Sequence, residues 1–130
     1  MTQEEKQLLL KDLCARLPYG VKGQALGGRD DTISVLVPGE YPWVKTDTGL
    51  VCHLGTGQFK PYLRPMSSMT EEEKKELNDV TVINYNEFEG CSTLFDEKGF
   101  DWLNSHHFDY RGLIEKGLAL EAPEGMYKNE

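Results

Sequence analysis

The run His106-His107-Phe108-Asp109 places two imidazoles and a carboxylate within four positions, and these are the groups that ligate metals and move protons near neutral pH. Neighbouring residues on a helix point about 100° apart, so His106 and His107 would not share a face, whereas His106 and Asp109 would if a helix ran that far. His106 also follows Trp102 by four residues, which is the spacing of ring packing along one helical face. Asp109 suits the N-cap of a short helix over residues 110–116. No trio of Cys, His, Asp and Glu has ligand spacing, so neither a structural metal nor a cofactor is expected. An enzymatic reading would be a small hydrolase or a metal-dependent enzyme using His106, His107, Asp109 or Cys91.

The three cysteines, Cys14, Cys52 and Cys91, cannot all pair and match no zinc pattern, so they read as reduced thiols. Cys14 lies on an apolar helical stripe and Cys52 lies between in-facing leucines, so both are expected in the core. Cys91 precedes a possible helix start, but Glu87 and Glu89 oppose a thiolate there. Gly27-Gly28-Arg29-Asp30-Asp31 resembles an anion-binding loop until the strand that follows is considered; phosphate cradles need a helix N-terminus, so a hairpin loop is the better reading. The most surface-like feature is aromatic: Tyr41, Trp43, Phe59 and Tyr62 alternate with Lys45, Lys60 and Arg64, and no acid occurs between Asp47 and Glu71. Rings interleaved with cations form the grooves by which small β domains hold peptides and single strands. Tyr41, Trp43, Phe59, Tyr62 and Arg64 are therefore the candidate binding set. The competing expectation is that the rings are simply core.

The elements that must position these groups follow from pattern. Thr2 and Glu5 form a capping box, and Leu9, Leu10, Leu13, Cys14 and Leu17 then recur at three- and four-residue spacing until Pro18. Ile33, Val35 and Val37 alternate with polar or outward positions in a half-buried strand, and Leu50, Cys52 and Leu54 oppose Val51 and His53 in another. Pro61 and Pro65 hold residues 60–65 extended, as a stiff exit from the β region. Thr70 and Glu73 form a second capping box for a short, solvated helix. A strand is expected at Val80-Thr81-Val82-Ile83. A third helix, weakened by Gly99, is expected through Leu94, Phe95, Trp102, Leu103 and Phe108. After Pro123 the chain is expected to fray, so residues 124–130 read as a tail. The fold class is α+β in one domain, residues 1–130: an N-terminal helix, a small twisted antiparallel sheet or partial barrel, and short C-terminal helices packed on it.

Apolar residues make up 38% of the 130 and charged residues 28%, with a net charge of −8. Residues 1–65 carry +1 and residues 66–130 carry −9. No basic stripe is available to neutralise phosphates, so direct nucleic-acid binding is not expected. No apolar run approaches the roughly 18 residues that cross a bilayer, so a cytoplasmic protein without membrane contact is expected.

Three stretches, EEKQLLLKDLCARLPYGV at residues 4–21, KPYLRPMSSMTEEEKKE from Lys60 to Glu76 and DWLNSHHFDYRGLIEKGLALEAPEGMY from Asp101 to Tyr127, together cover about half of the chain. They resemble a family of short proteins encoded by gut-bacterial, Bacteroidales-type, phages, prophages and mobile elements, for which no activity, ligand or catalytic residue is established. The resemblance implies a phage or mobile-element context without a chemistry. The leading expectation is a non-enzymatic accessory protein that acts through a protein partner of unknown identity. An acidic inhibitor of a nucleic-acid enzyme is a further alternative.

Overall fold

A computed structural model describes residues 2–25, 27–80 and 97–127. The N-terminal capping box forms as its residues require: Thr2 Oγ1 accepts from the Glu5 amide (3.0 Å), and Glu5 accepts from the Thr2 amide (2.8 Å). Helix α1 runs over Gln3–Arg16, and Pro18 confines Leu17–Tyr19 to a 3₁₀ turn. Six strands follow: β1 (Lys22–Ala25), β2 (Arg29–Val37), β3 (Trp43–Thr46), β4 (Val51–His53), β5 (Lys60–Leu63) and, near the C-terminus, β6 (Leu120–Glu121). Between β5 and β6 lie α2 (Glu71–Val80) and α3 (Glu97–Ser105). The sheet order is β4-β3-β2-β1-β5-β6 and the sheet does not close. The α+β class is as expected, but the sheet is mixed, because β5 and β6 pair in parallel.

Two apolar clusters form. Leu9, Leu10 and Leu13 of α1 lie against the inner side of the sheet, among Val21, Ile33, Val44, Cys52, Phe59 and Leu63. Leu77 of α2 and Trp102 and Leu103 of α3 gather around Phe108. Among the described residues no helix is long and apolar enough to cross a membrane.

The differences from expectation have local causes. Residues 60–65 are not an exit from the β region: β5 is an interior strand, antiparallel to β1 and parallel to β6. Pro61 keeps its extended φ there while its carbonyl side remains usable. The alternation in β2 breaks at Ser34, where the register slips between Ile33 and Val35. This bulge sends Val35 outward and brings Leu36 against the core, the reverse of the simple period. Helix α2 continues through Val80, so no strand starts there; the rest of that expected strand, Leu94, Phe95 and Cys91 lie outside the described residues. Helix α3 stops at Ser105, short of Phe108, and residues 110–116 form turns in place of a helix. Cys14 is exposed, unlike Cys52, because α1 is apolar on a narrower arc than its sequence suggests.

The chain after Pro123 is tied down as far as Tyr127, which corrects the expected fraying from residue 124. The Tyr127 hydroxyl donates to the Tyr62 carbonyl (2.8 Å) and accepts from the Lys22 amide (3.1 Å). Burial pushes its pKa up to about 12, so it stays a donor at any ordinary pH.

Candidate functional site

The polar cluster after α3 is dispersed among structural partners. With the helix ending at Ser105, His106 stacks on Trp102 at 4.0 Å between ring centroids and donates from Nδ1 to the Trp102 carbonyl (2.9 Å). His107 adopts a left-handed backbone, φ +64°, which is costly for a residue with a Cβ and is held by its surroundings. Its amide donates to the Asn104 carbonyl and its carbonyl accepts from the Arg64 amide (2.7 Å). Its ring is 7% exposed and stacks on Tyr127 at 3.7 Å. Asp109 accepts the amides of Leu113 (2.8 Å) and Ile114 (3.0 Å) with its two oxygens, four and five residues ahead, so it organises a turn and caps no helix. Each of the three candidate groups thus serves a different partner. Among the described residues, no group of three His, Cys, Asp and Glu side chains is arranged to hold a metal ion.

Burial, reinforced by the positive charge of Arg16, lowers the His107 pKa to about 4. The unfolded chain, with a His pKa near 6.5, therefore takes up a proton that the folded protein refuses. Stability is fully present above about pH 6.5 and falls as the pH drops toward 4, by about 2–3 kcal/mol from this group. Urea unfolding at pH 7 and pH 4.5 tests this against His107→Asn, which tolerates the left-handed backbone and does not titrate. The variant should show a shallower loss; identical pH slopes would place the His107 pKa at its ordinary value.

An ionic node that sequence reasoning did not identify lies beneath this cluster. Arg16 and Asp12, one turn apart on α1, are both fully buried and joined at 2.8 Å. Arg16 also donates to the Phe108 carbonyl (2.5 Å), and Arg111 reaches the second oxygen of Asp12 (2.9 Å). The node fastens α1 to the chain that follows α3. Nothing in its geometry offers a reacting position, because Asp12 uses both oxygens within it.

The candidate aromatic set divides. Phe59 is fully buried on the inner side of the sheet, against Gly23. Tyr62 is buried and donates to Asp30 (2.6 Å), an interaction that raises its pKa. Arg64 continues β5 at the far side of the sheet, paired in bidentate fashion with Glu73 at 2.8 Å and lying 4.1 Å from the Phe108 ring. Tyr41 and Trp43, in contrast, remain at the surface. Strand register places Val35, Lys45 and Val51 side by side in one row across β2, β3 and β4, and Val37, Trp43 and His53 in the next. Side chains two apart on a strand share a face, so the six form one outer surface. Val35 and Val51 are 43% and 44% exposed, Trp43 is half-buried, and Tyr41, two residues before it, is 77% exposed with the Lys6 ammonium 5.8 Å from its ring. The bulge at Ser34 creates this surface, because it turns Val35 outward into line with Val51.

The free edge of β4 beside that surface is blocked at His53. Cys52 faces Val44 of β3, which leaves His53 directed to the open side, and there Gln58 accepts from the His53 amide with its side chain (2.8 Å) and donates its own amide to the His53 carbonyl (3.2 Å). A block at this point makes the edge a poor template for another strand.

A concavity of about 630 Å³ opens between α2 and the C-terminal segment. Glu72, Glu73 and Glu76 line one side, Glu121 and Glu124 the other, with His106 and Tyr127 between them. The Arg64 guanidinium holds the Glu73 carboxyl below the usual carboxylate range, and the other four acids make no ion pair among the described residues. Comparisons of the chain with protein-family models, with curated proteins and with solved structures found no match.

Proposed function

We propose that the protein is a non-enzymatic accessory factor, of the phage and mobile-element kind that its sequence resembles, and that it acts by binding a protein through the outer surface of β2, β3 and β4. One observation carries this reading. Of the four large apolar side chains exposed among the described residues, Val35, Tyr41 and Val51 lie on or beside this one surface, around Trp43. Scattered apolar groups are ordinary on a protein surface, but a contiguous patch centred on a tryptophan is the composition of a binding hot spot. The hydrolase alternative has no comparable support, because His106, His107 and Asp109 are each engaged in holding the fold.

Trp43→Ala is expected to reduce recovery of a specific partner in affinity capture from the native host by about tenfold or more, while lowering stability by about 1–2 kcal/mol, less than a fully buried tryptophan, since the residue is only partly buried. Undiminished capture, or a stability loss of about 3–5 kcal/mol, would mark Trp43 as a core residue and remove the basis of this reading.

The acidic concavity favours a second reading, association with a basic protein, including the inhibition of a nucleic-acid enzyme. Its four carboxylates that make no ion pair among the described residues, together with the −9 charge of residues 66–130, would attract such a partner. Salt separates the two readings: association through carboxylates weakens steeply as ionic strength rises, and association through the apolar surface does not.

A further inference from the structure

Resting on the protein-binding reading, we infer that the outer surface of β2, β3 and β4 receives a single amphipathic helix of its partner, with a carboxylate beside the apolar stripe to meet Lys45. Three features of the surface select this occupant. The first is shape. Three strands about 4.8 Å apart make a strip roughly 10 Å wide, the diameter of one α-helix with its side chains. The rows Val35–Lys45–Val51 and Val37–Trp43–His53 are two residues apart along the strands, about 7 Å against a helical pitch of about 5.4 Å, a difference that side-chain length spans. Successive turns of one helix can therefore rest on successive rows.

The second is the edge of β4, blocked at His53. An extended peptide gains its affinity by adding a strand and using main-chain hydrogen bonds, and Gln58 already occupies those of His53. A helix satisfies its own backbone and needs only side-chain contact. The area of the strip is also too small for a stable second copy of this chain: with Tyr41 included it spans roughly 10 by 14 Å, far below the ~800 Å² per partner of a durable interface.

The third is charge. Lys45 stands in the middle of the first row between two exposed valines. Glu40 and Asp47 lie in the turns at the two ends of β3, outside the strip. The centre of the surface is thus positive, and a helix bearing an acid near the middle of its apolar stripe pairs with it, whereas one bearing a lysine there meets like charge.

The probe is a side-chain-stapled helical peptide of about four turns, with leucine and isoleucine at i, i+3, i+4 and i+7 and a glutamate flanking the stripe. Its comparators carry lysine in place of that glutamate, the same residues with the stripe scrambled, a proline-rich extended peptide, and an oligothymidylate. Binding is read by fluorescence anisotropy, and the surface is mapped by amide chemical shifts. The glutamate helix should bind about tenfold or more tightly than each comparator and shift the amides of β2–β4. Val51→Asp should abolish this, and Lys45→Glu should reverse the preference between the glutamate and lysine helices; unchanged urea midpoints for both exposed-site variants confirm that they fold. Tighter binding of the oligothymidylate or of the proline-rich peptide, shifts confined to the acidic concavity, no binding, or no reversal with Lys45→Glu would each overturn the inference. If Trp43→Ala abolishes partner capture while the helix does not bind, the inference fails and the protein-binding reading stands; if capture survives Trp43→Ala, both fail.

Discussion

Asp12→Ala is expected to destabilise the protein by about 3–5 kcal/mol, because it leaves a fully buried guanidinium without its counter-ion. Arg16 would retain only the Phe108 carbonyl and the Tyr110 ring, 5.4 Å from its guanidinium carbon, and neither carries a full negative charge. The side chain cannot escape to water without displacing α1, whose Leu9 and Leu13 are themselves fully buried. Arg111 is also released, but it is partly exposed and can hydrate, so Arg111→Ala should cost far less, about 1 kcal/mol. Replacing the pair together, as Asp12→Leu with Arg16→Met, removes both charges and should recover much of the loss. Equilibrium urea unfolding of the four proteins decides the matter. A loss below about 1 kcal/mol for Asp12→Ala would mean that water reaches the node.

Phe59→Ala should cost about 3–5 kcal/mol by a different route, the opening of a cavity where α1, β1 and β5 meet. The site is built around the absence of a side chain at Gly23. A Cβ there would stand 2.3 Å from Phe59 Cζ and 2.6 Å from the Lys60 carbonyl oxygen, so Gly23→Ala pushes against both the ring and the neighbouring strand and should cost about 1–3 kcal/mol or more. The two changes are not independent. Once the ring is gone, the added methyl occupies part of the space it leaves, and the double variant should lose less than the sum of the single losses. Simple additivity would show that the Lys60 backbone, not the ring, sets the constraint at Gly23.

The elements governed by local chemistry were legible from residues alone. Thr2 with Glu5, and Thr70 with Glu73, announce their helices because a capping box satisfies donors within four residues and needs nothing from the rest of the fold. The N-terminal stripe, the strand holding Cys52 and the hairpin at Gly27-Gly28 were legible for the same reason. What depends on distant partners was not. Asp12 and Arg16 have the spacing of an ordinary solvated ion pair, and only the chain after α3, some ninety residues away, buries them. The bulge at Ser34 carries no glycine or proline to mark it, so Val35 read as core and Leu36 as surface. In the aromatic set the residue types signalled a cluster of rings but not its faces. Trp43 and Phe59 separate only once the strands are placed, Trp43 on the outer surface of β2–β4 and Phe59 against Gly23 of β1. His106, His107 and Asp109 looked like chemistry because their types suit it; the end of α3 at Ser105 is what assigns each to a structural partner.

The parallel pairing of β6 with β5 also bears on how the chain reaches this state. The Tyr127 hydroxyl meets Lys22, 105 residues away, and Tyr62, 65 residues away, so the outer boundary of the sheet is held by strongly non-local contacts. Closing so long a loop costs chain entropy before any contact compensates it, and topologies of this kind fold slowly. On a ribosome, α1 and β1–β5 would emerge with the edge of β5 unpaired, and that edge would stay open until the residues from Leu120 to Tyr127 had been made. During that interval the nascent sheet presents a free strand to its neighbours, the situation in which chaperone binding and misassembly compete. Gln58 blocks the opposite edge at His53 from within a few residues of β4, so the two margins of one sheet are protected at different moments of synthesis, one earlier and one later.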